Sequence, residues 1–429
     1  MALNKHADFN RLWAGQTASN FGDKISLLAL PTIAIVVLGG GAFEAGVLGA
    51  LRFLPFFVLA PIAGLVADRF SRRAIMIVAD VGRMIALGSI PVAFAFDTVS
   101  MAHLYIVAAT AGILTTFFEV SYQSYLPQLV GNENLVEGNT KLQISRSLAE
   151  VVGAAAGGAL MQFVGIARAV AIDAFTFLIS IVALLFIRDR DVRRRTRDRQ
   201  QSAAFEMKEG MRTLFGTPTL RSLFVSSSVV NLGAAMGDAL LIVYAYKQLG
   251  LSPGQVGAAA AVGGVFVIVG AVFSGKVAEF FTLGRTLVIT AVVLGAGYAL
   301  LPSAGAVGAF VGLIVIQAII GFVSPMYDIH VLSLVQGVTP NEQMGRVSGT
   351  ALAVVYGALS LGYAIGGGVG ETLGLTAGLL LAGGITVIGG LTLLAGPVRS
   401  IRDMPSTGDG GEGNPSTPES SRDAMATPV

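Results

Sequence analysis

Eleven ionisable side chains stand inside otherwise apolar stretches of this chain: Asp23, Lys24, Arg52, Asp80, Arg83, Glu119, Arg146, Glu150, Asp173, Asp238 and Asp328. At about 3 kcal/mol each on a membrane-insertion scale, facing them all to hydrocarbon would cost on the order of 30 kcal/mol, so most must pair or line a wet cavity. Carboxylates and guanidinium groups so placed bind and release protons, or recognise charged solutes. Spacing predicts two pairs, Asp80 with Arg83 at i,i+3 and Arg146 with Glu150 at i,i+4. Counting about 1.5 Å per residue from Arg11 and from Glu44 brings Asp23 and Arg52 to the same depth, ~18 Å from one membrane face. Asp23 is therefore a candidate proton carrier with Arg52 tuning its affinity, and Asp238 is a second candidate. Covalent catalysis has little to work with, since there is no cysteine, only His6, His103 and His330, and no compact serine-base or histidine-acid constellation. No GxxxxGK[ST] loop occurs, which disfavours a nucleotide-driven pump. The reading is a protein that is not an enzyme, with no catalytic residue, no metal and no cofactor beyond a coupling proton.

The elements that position these groups are membrane helices. Of 429 residues, 54% are hydrophobic and 13% charged, about half the charge of a soluble protein. Apolar stretches long enough to span roughly 30 Å as helices fall at 11–38, 44–67, 74–97, 101–127, 139–165, 168–187, 219–247, 254–275, 284–302, 305–335, 342–370 and 374–396. Strand-like alternation is absent, which argues against a barrel. The fold class expected is an all-α integral membrane protein of twelve transmembrane helices in two pseudo-symmetric six-helix bundles. Residues 1–187 form the first bundle, 188–218 a cytoplasmic linker, 219–396 the second bundle, and 397–429 a disordered tail rich in Pro, Ser, Gly and Thr.

Of 28 Lys and Arg residues, Lys24, Arg52, Arg83 and Arg146 lie inside helices and Arg168 and Lys247 at one end of the bundle, while the other 22 crowd the opposite end. That asymmetry predicts both termini in the cytoplasm. The run RDRDVRRRTRDR in the linker cannot enter a bilayer. Further on, Ala204, Met207, Met211 and Leu214 share one face of a short helix at the cytoplasmic surface, with or without lipid contact. The second half repeats the first. At an offset of 211, Asn20, Gly22, Gly64 and Asp68 fall on Asn231, Gly233, Gly275 and Glu279; at 209, Glu119 falls on Asp328, Asn132 and Glu133 on Asn341 and Glu342, and Gly153, Gly157 and Gly158 on Gly362, Gly366 and Gly367. A repeat of this kind implies a site between halves that rock against each other.

Between the second and third stretches lies GLVADRFSRR, residues 64–73. Gly64 would let helices approach, Asp68 would accept from backbone donors at a neighbouring helix end, and Arg69, Arg72 and Arg73 would hold the turn in the cytoplasm. The pattern resembles the GxLaDRxGRK signature of the major facilitator superfamily, with Ser71 where the family has Gly. NRLWAGQTASNFGD, RFLPFF and SYQSYLPQLV are similar to the drug-efflux branch that includes macrolide exporters and the enterobactin exporter. Other proton-driven efflux branches carry an Arg in helix 4 and a Gly-Pro pair in helix 5; this helix 4 has no Arg, and Ala154 follows Gly153.

The resemblance implies a central cavity lined by helices 1, 4, 7 and 10, gated by helices 5 and 11. Glu119 and Asp328 would then face that cavity and favour a cationic or amphiphilic substrate, with Phe117, Phe118, Tyr122 and Tyr327 as aromatic contacts. Asp80, Arg83, Arg146 and Glu150 would join the signature loop in a helix-end network. The function implied is proton-coupled export of a drug, macrolide or siderophore-like molecule by alternating access. Uptake or lipid flipping by the same fold, and a non-transporting receptor or scaffold, are the alternatives. The partners expected are a small-molecule substrate and the bilayer, without nucleic acid, in a monomer of the bacterial cytoplasmic membrane.

Overall fold

In hydrocarbon every backbone N–H and C=O must be satisfied within its own segment, so apolar runs of this length fold as helices. The computed structural model of the chain describes residues 3, 6–131, 134–188, 203–339 and 343–401. The first half contains α1 (Ala7–Thr32, prolonged by a π turn, Ile33–Val37), α2 (Ala42–Arg69), α3 (Arg72–Ala95) and α4 (Met101–Val130). It continues with α5, made of Leu135–Leu148, a π turn at Ala149–Gly153 and Ala154–Phe163, and with α6 (Ile166–Leu185). A short helix, α7 (Ala203–Gly216), leads into α8 (Pro218–Lys247), α9 (Pro253–Phe281), α10 (Leu283–Leu300), α11 (Ala309–Val338), α12 (Met344–Thr372) and α13 (Leu375–Leu391).

Among the described residues eleven helices are long and apolar enough to cross a membrane. The twelfth path is α5, whose ladder is divided by the π turn and whose first piece carries Glu137, Lys141 and Arg146. Large apolar side chains point outward along the helices, among them Val78, Ile85, Phe175 and Val272, as a bilayer-facing surface requires. Inside each half the same pairings recur: α1 packs on α6, α2 on α4 and α3 on α6, and likewise α8 on α13, α9 on α11 and α10 on α13.

The α2–α3 turn differs in detail from its sequence reading. Ser71 has φ −62° and its hydroxyl accepts from the Ala74 N–H at 3.3 Å, so it is an N-cap, a task serine performs well and one that needs no left-handed backbone. Gly64 has nothing within 4 Å of where a Cβ would sit, so close helix approach is not its role in this conformation. Asp68 pairs with Arg72 at 3.6 Å and does not cap a neighbouring helix. The reverse contact is made by Arg73, whose Nε and Nη2 donate at 2.6 Å to the Leu184 and Leu185 carbonyls at the C-terminal end of α6. Arg73→Ala is expected to lower stability by on the order of 1–2 kcal/mol, read as a lower melting temperature of the purified protein. Arg69 is exposed.

Helix α7 lies against α8 and α12. Leu214 is buried with Leu220, Phe224 and Val347, and Glu209 pairs with Arg346 at 2.5 Å. The side chains of Ala204 and Met207 lie outside the described residues, as do the linker run from Asp189, the repeat pairs Asn132–Glu133 and Asn341–Glu342, and the tail beyond 401. The first tail residues are ordered: Pro397–Ser400 forms a 3₁₀ turn, Val398 is buried, and Gly284 N donates to Ile401 O at 3.2 Å.

The halves meet through α2 against α12 and α5 against α9. A Cβ on Gly46 would lie 2.5 Å from the Tyr363 carbonyl oxygen and 2.7 Å from the Gly367 Cα, and one on Gly158 would lie 2.6 Å from the Gly257 Cα. Both approaches sit near the end of the bundle that carries the 38–41 and 248–252 turns. The Thr32 and Tyr246 hydroxyls join α1 to α8 there at 2.8 Å. The observed conformation is closed at that end. The remaining glycines of the repeat also serve packing, with Gly157 against Ile25, Gly362 against Leu232 and Gly366 against Met236.

Candidate functional site

Helix α1 divides its side chains between two neighbours. Gly15 and Gly22, two turns apart, face α6, and a Cβ on Gly15 would sit 3.0 Å from the Ala183 Cβ. The side chains of Asp23 and Lys24 instead reach a cavity of about 530 Å³ between the halves. Further walls come from α2 (Arg52, Phe53, Phe56), α3 (Arg83), α4 (Glu119), α5 (Arg146, Glu150) and α6 (Phe177). The second half adds Asp238 from α8 and Tyr356 and Tyr363 from α12.

The expected pairs are partly exchanged. Asp80 and Arg83 do pair, both almost fully buried, and the guanidinium is sandwiched 4.5 Å from the Phe118 ring centroid and 4.6 Å from that of Phe177. Arg146 and Glu150 do not pair. A π turn opens at Ala149–Gly153 beside them, and each charge finds its partner on another helix. Arg146 instead meets Glu119 of α4 at 3.3 Å. Glu150 pairs with Lys24 of α1, which reaches it because Gly153 presents no side chain, a Cβ there falling 2.9 Å from the Lys24 Cβ. Asp23 and Arg52 share the cavity but form no ion pair with each other, nor with any other described residue.

The aromatic residues picked from the sequence have other work. Phe118 holds Arg83; Tyr122 is buried, stacked on Phe118 and 5.8 Å beneath Arg146; Phe117 is half-buried. None of the three lines the cavity. Tyr327 is buried with its hydroxyl 2.8 Å from Ser226 Oγ, and because the Ser226 proton goes to the Gly389 carbonyl at 2.7 Å, Tyr327 donates. Asp328 is exposed on α11 and outside the cavity lining, so the repeat equivalence with Glu119 does not extend to a shared cavity here. The rings that do line the cavity are Phe53, Phe56, Phe177, Tyr356 and Tyr363.

Two acidic positions gain definition. Asp238 accepts from the Tyr298 hydroxyl at 2.7 Å, the ring lying flush against Gly237. Asp173 of α6 is fully buried and accepts from the hydroxyls of Ser26 and Thr176, fitting against the bare Gly22 backbone. In sequence Asp173 was only one more acid in an apolar run. Thr176 is local, but Gly22 and Ser26 lie 147 or more positions away on α1, a signal visible only once α1 and α6 are paired.

The Major Facilitator Superfamily profile matches residues 12–360 of the chain. The chain is 27% identical over 380 residues to the MFS-type transporter YfiS of Bacillus subtilis (strain 168), covering 87% of this chain and 89% of that one. It is 25% identical over 385 residues to the multidrug efflux pump Tap of Mycolicibacterium fortuitum, covering 86% and 90%. With macrolide efflux protein A of Streptococcus pyogenes the identity is 24% over 381 residues, covering 87% and 92%. Among solved structures, the nucleoside transporter NupG superposes with a TM-score of 0.72 at 14% identity, covering 90% of this chain and 98% of that one. A bacterial homologue of the iron transporter ferroportin, in its inward-facing state, gives 0.70 at 16% identity, covering 89% and 98%.

Proposed function

Given that the chain belongs to the Major Facilitator Superfamily, we propose that it exports hydrophobic or amphiphilic small molecules by alternating access, in exchange for protons. The observation that carries this reading is the cavity between the halves, which holds the unpaired carboxylate of Asp23 and is closed at one end by α2 on α12 and α5 on α9. Asp23 is the coupling group: facing the outside it takes a proton, and facing the cytoplasm it releases it. Asp238, held by Tyr298, is the second carboxylate available to a proton or a cationic substrate. Around them, Lys24–Glu150 and Arg146–Glu119 tie α5 to α1 and α4, so movement of α5 exchanges charge partners beside the carrier.

The crowded Lys and Arg end, which carries the α2–α3 turn, is assigned to the cytoplasm of a bacterial cell, making the closed end the outer one. One charge crossing about 100 mV supplies about 2.3 kcal/mol, enough for roughly a 50-fold gradient without ATP. The similarity to efflux pumps supports the direction.

Inside-out vesicles containing the protein, given an acid-inside gradient, are expected to accumulate the cationic dye rhodamine 123. Asp23→Asn is expected to lose at least tenfold of that gradient-driven uptake while retaining dye binding. Equal uptake by the variant, with unchanged pH dependence, would remove Asp23 from coupling. Loss of dye from preloaded vesicles under the same gradient would reverse the assigned direction.

A further inference from the structure

Among the described residues four cationic side chains line the cavity, and three are neutralised: Lys24 by Glu150, Arg83 by Asp80 and Arg146 by Glu119. Arg52 is the fourth, and among the described residues no carboxylate lies within ion-pair distance of it. Lining the cavity, its guanidinium is left free to meet a counter-charge that the protein does not itself place beside it.

The position is also built. Gly112 of α4 packs against the backbone of α2 at this level, where a Cβ would stand 2.7 Å from the Leu51 carbonyl oxygen and 3.0 Å from that of Arg52. Pro55, one turn on, has no N–H to return to Leu51, so the ladder is open beside Arg52. The Arg52 guanidinium lies 5.9 Å from the Phe53 ring centroid. Phe53 stacks with Tyr363 at 5.5 Å, and Phe56 with Tyr356 at 4.2 Å. All four rings line the cavity and make one aromatic wall that spans the two halves.

Resting on the export reading, we infer that Arg52 and this wall form a subsite for an aromatic substrate bearing a carboxylate. The planar guanidinium fork matches a carboxylate's two oxygens, and the rings accept the aromatic body that holds it there. Asp238 lines the same cavity as Arg52 and Tyr363. An amino group on the same molecule meets Asp238, so the preferred substrate is an aromatic zwitterion.

Rhodamine 110 and its methyl ester rhodamine 123 share one ring system and differ in the free carboxylate. Binding of each to the full-length protein in lipid nanodiscs is read by fluorescence polarisation. Rhodamine 110 is expected to bind the wild type more tightly than rhodamine 123. Arg52→Gln is expected to weaken rhodamine 110 by about tenfold or more and not to weaken rhodamine 123, with Arg52→Lys recovering part of the rhodamine 110 loss. Equal loss for both dyes, loss for neither, or no binding of rhodamine 110 by the wild type would overturn the subsite. Gradient-driven uptake of rhodamine 123, which does not use the carboxylate subsite, reports separately on export.

Discussion

Arg83→Leu is expected to destabilise the protein by about 3–5 kcal/mol, and Asp80→Leu combined with Arg83→Leu to restore most of it. The single change leaves the Asp80 carboxylate, which has no exposed surface, without its counter-charge, and strips the cation from between Phe118 and Phe177. The double change removes both charges, so only the packing around the two rings remains to be satisfied. Thermal unfolding of the purified protein and its variants, in one detergent, measures both. A single variant as stable as the wild type would mean that the pair is dispensable. A double variant no better than the single would place the loss in ring packing and not in the orphaned carboxylate. Because Arg83 also reaches the cavity wall, transport by a stable double variant tells whether its charge serves function as well as folding.

The same pair shows what could be read from sequence. Asp80 and Arg83 lie three apart in an unbroken helix, and unbroken helices keep their faces. Arg146 and Glu150 satisfy the same rule on paper, but no spacing rule announces the competing charges of Glu119 and Lys24 on other helices. The helices themselves were legible because a bilayer sets their length and composition. Aromatic neighbours of Glu119 were misassigned because adjacent helical positions point about 100° apart, so Phe117 and Phe118 need not share its outlook. Tyr356 and Tyr363, seven residues apart, do share a face of α12, a regularity present in the sequence but without meaning until α12 is known to oppose α2. Asp23 and Arg52 line one cavity without pairing, because a depth counted along two helices does not fix the rotation that would make them touch.

Gly46→Leu is expected to force the closed end apart and cut transport by at least tenfold. At Gly46 the obstructing atoms are the Tyr363 carbonyl oxygen and the Gly367 backbone, which cannot rotate away as a side chain could. A leucine there can be accommodated only if α2 and α12 separate, and since these helices belong to different halves, separation opens the cavity on that side. The chain has no cysteine, so Ile242→Cys on the α8 wall gives a single reporter thiol without background. In right-side-out cells a membrane-impermeant maleimide is expected to label that thiol slowly with Gly46 present and much faster with Gly46→Leu. Gly384→Ala on α13 is the matched control, because open space surrounds its Cβ position and neither labelling nor transport should change. Labelling equally slow in Gly46→Leu would show that the halves absorb the side chain without parting, and the α2–α12 approach would then be packing alone and not the gate.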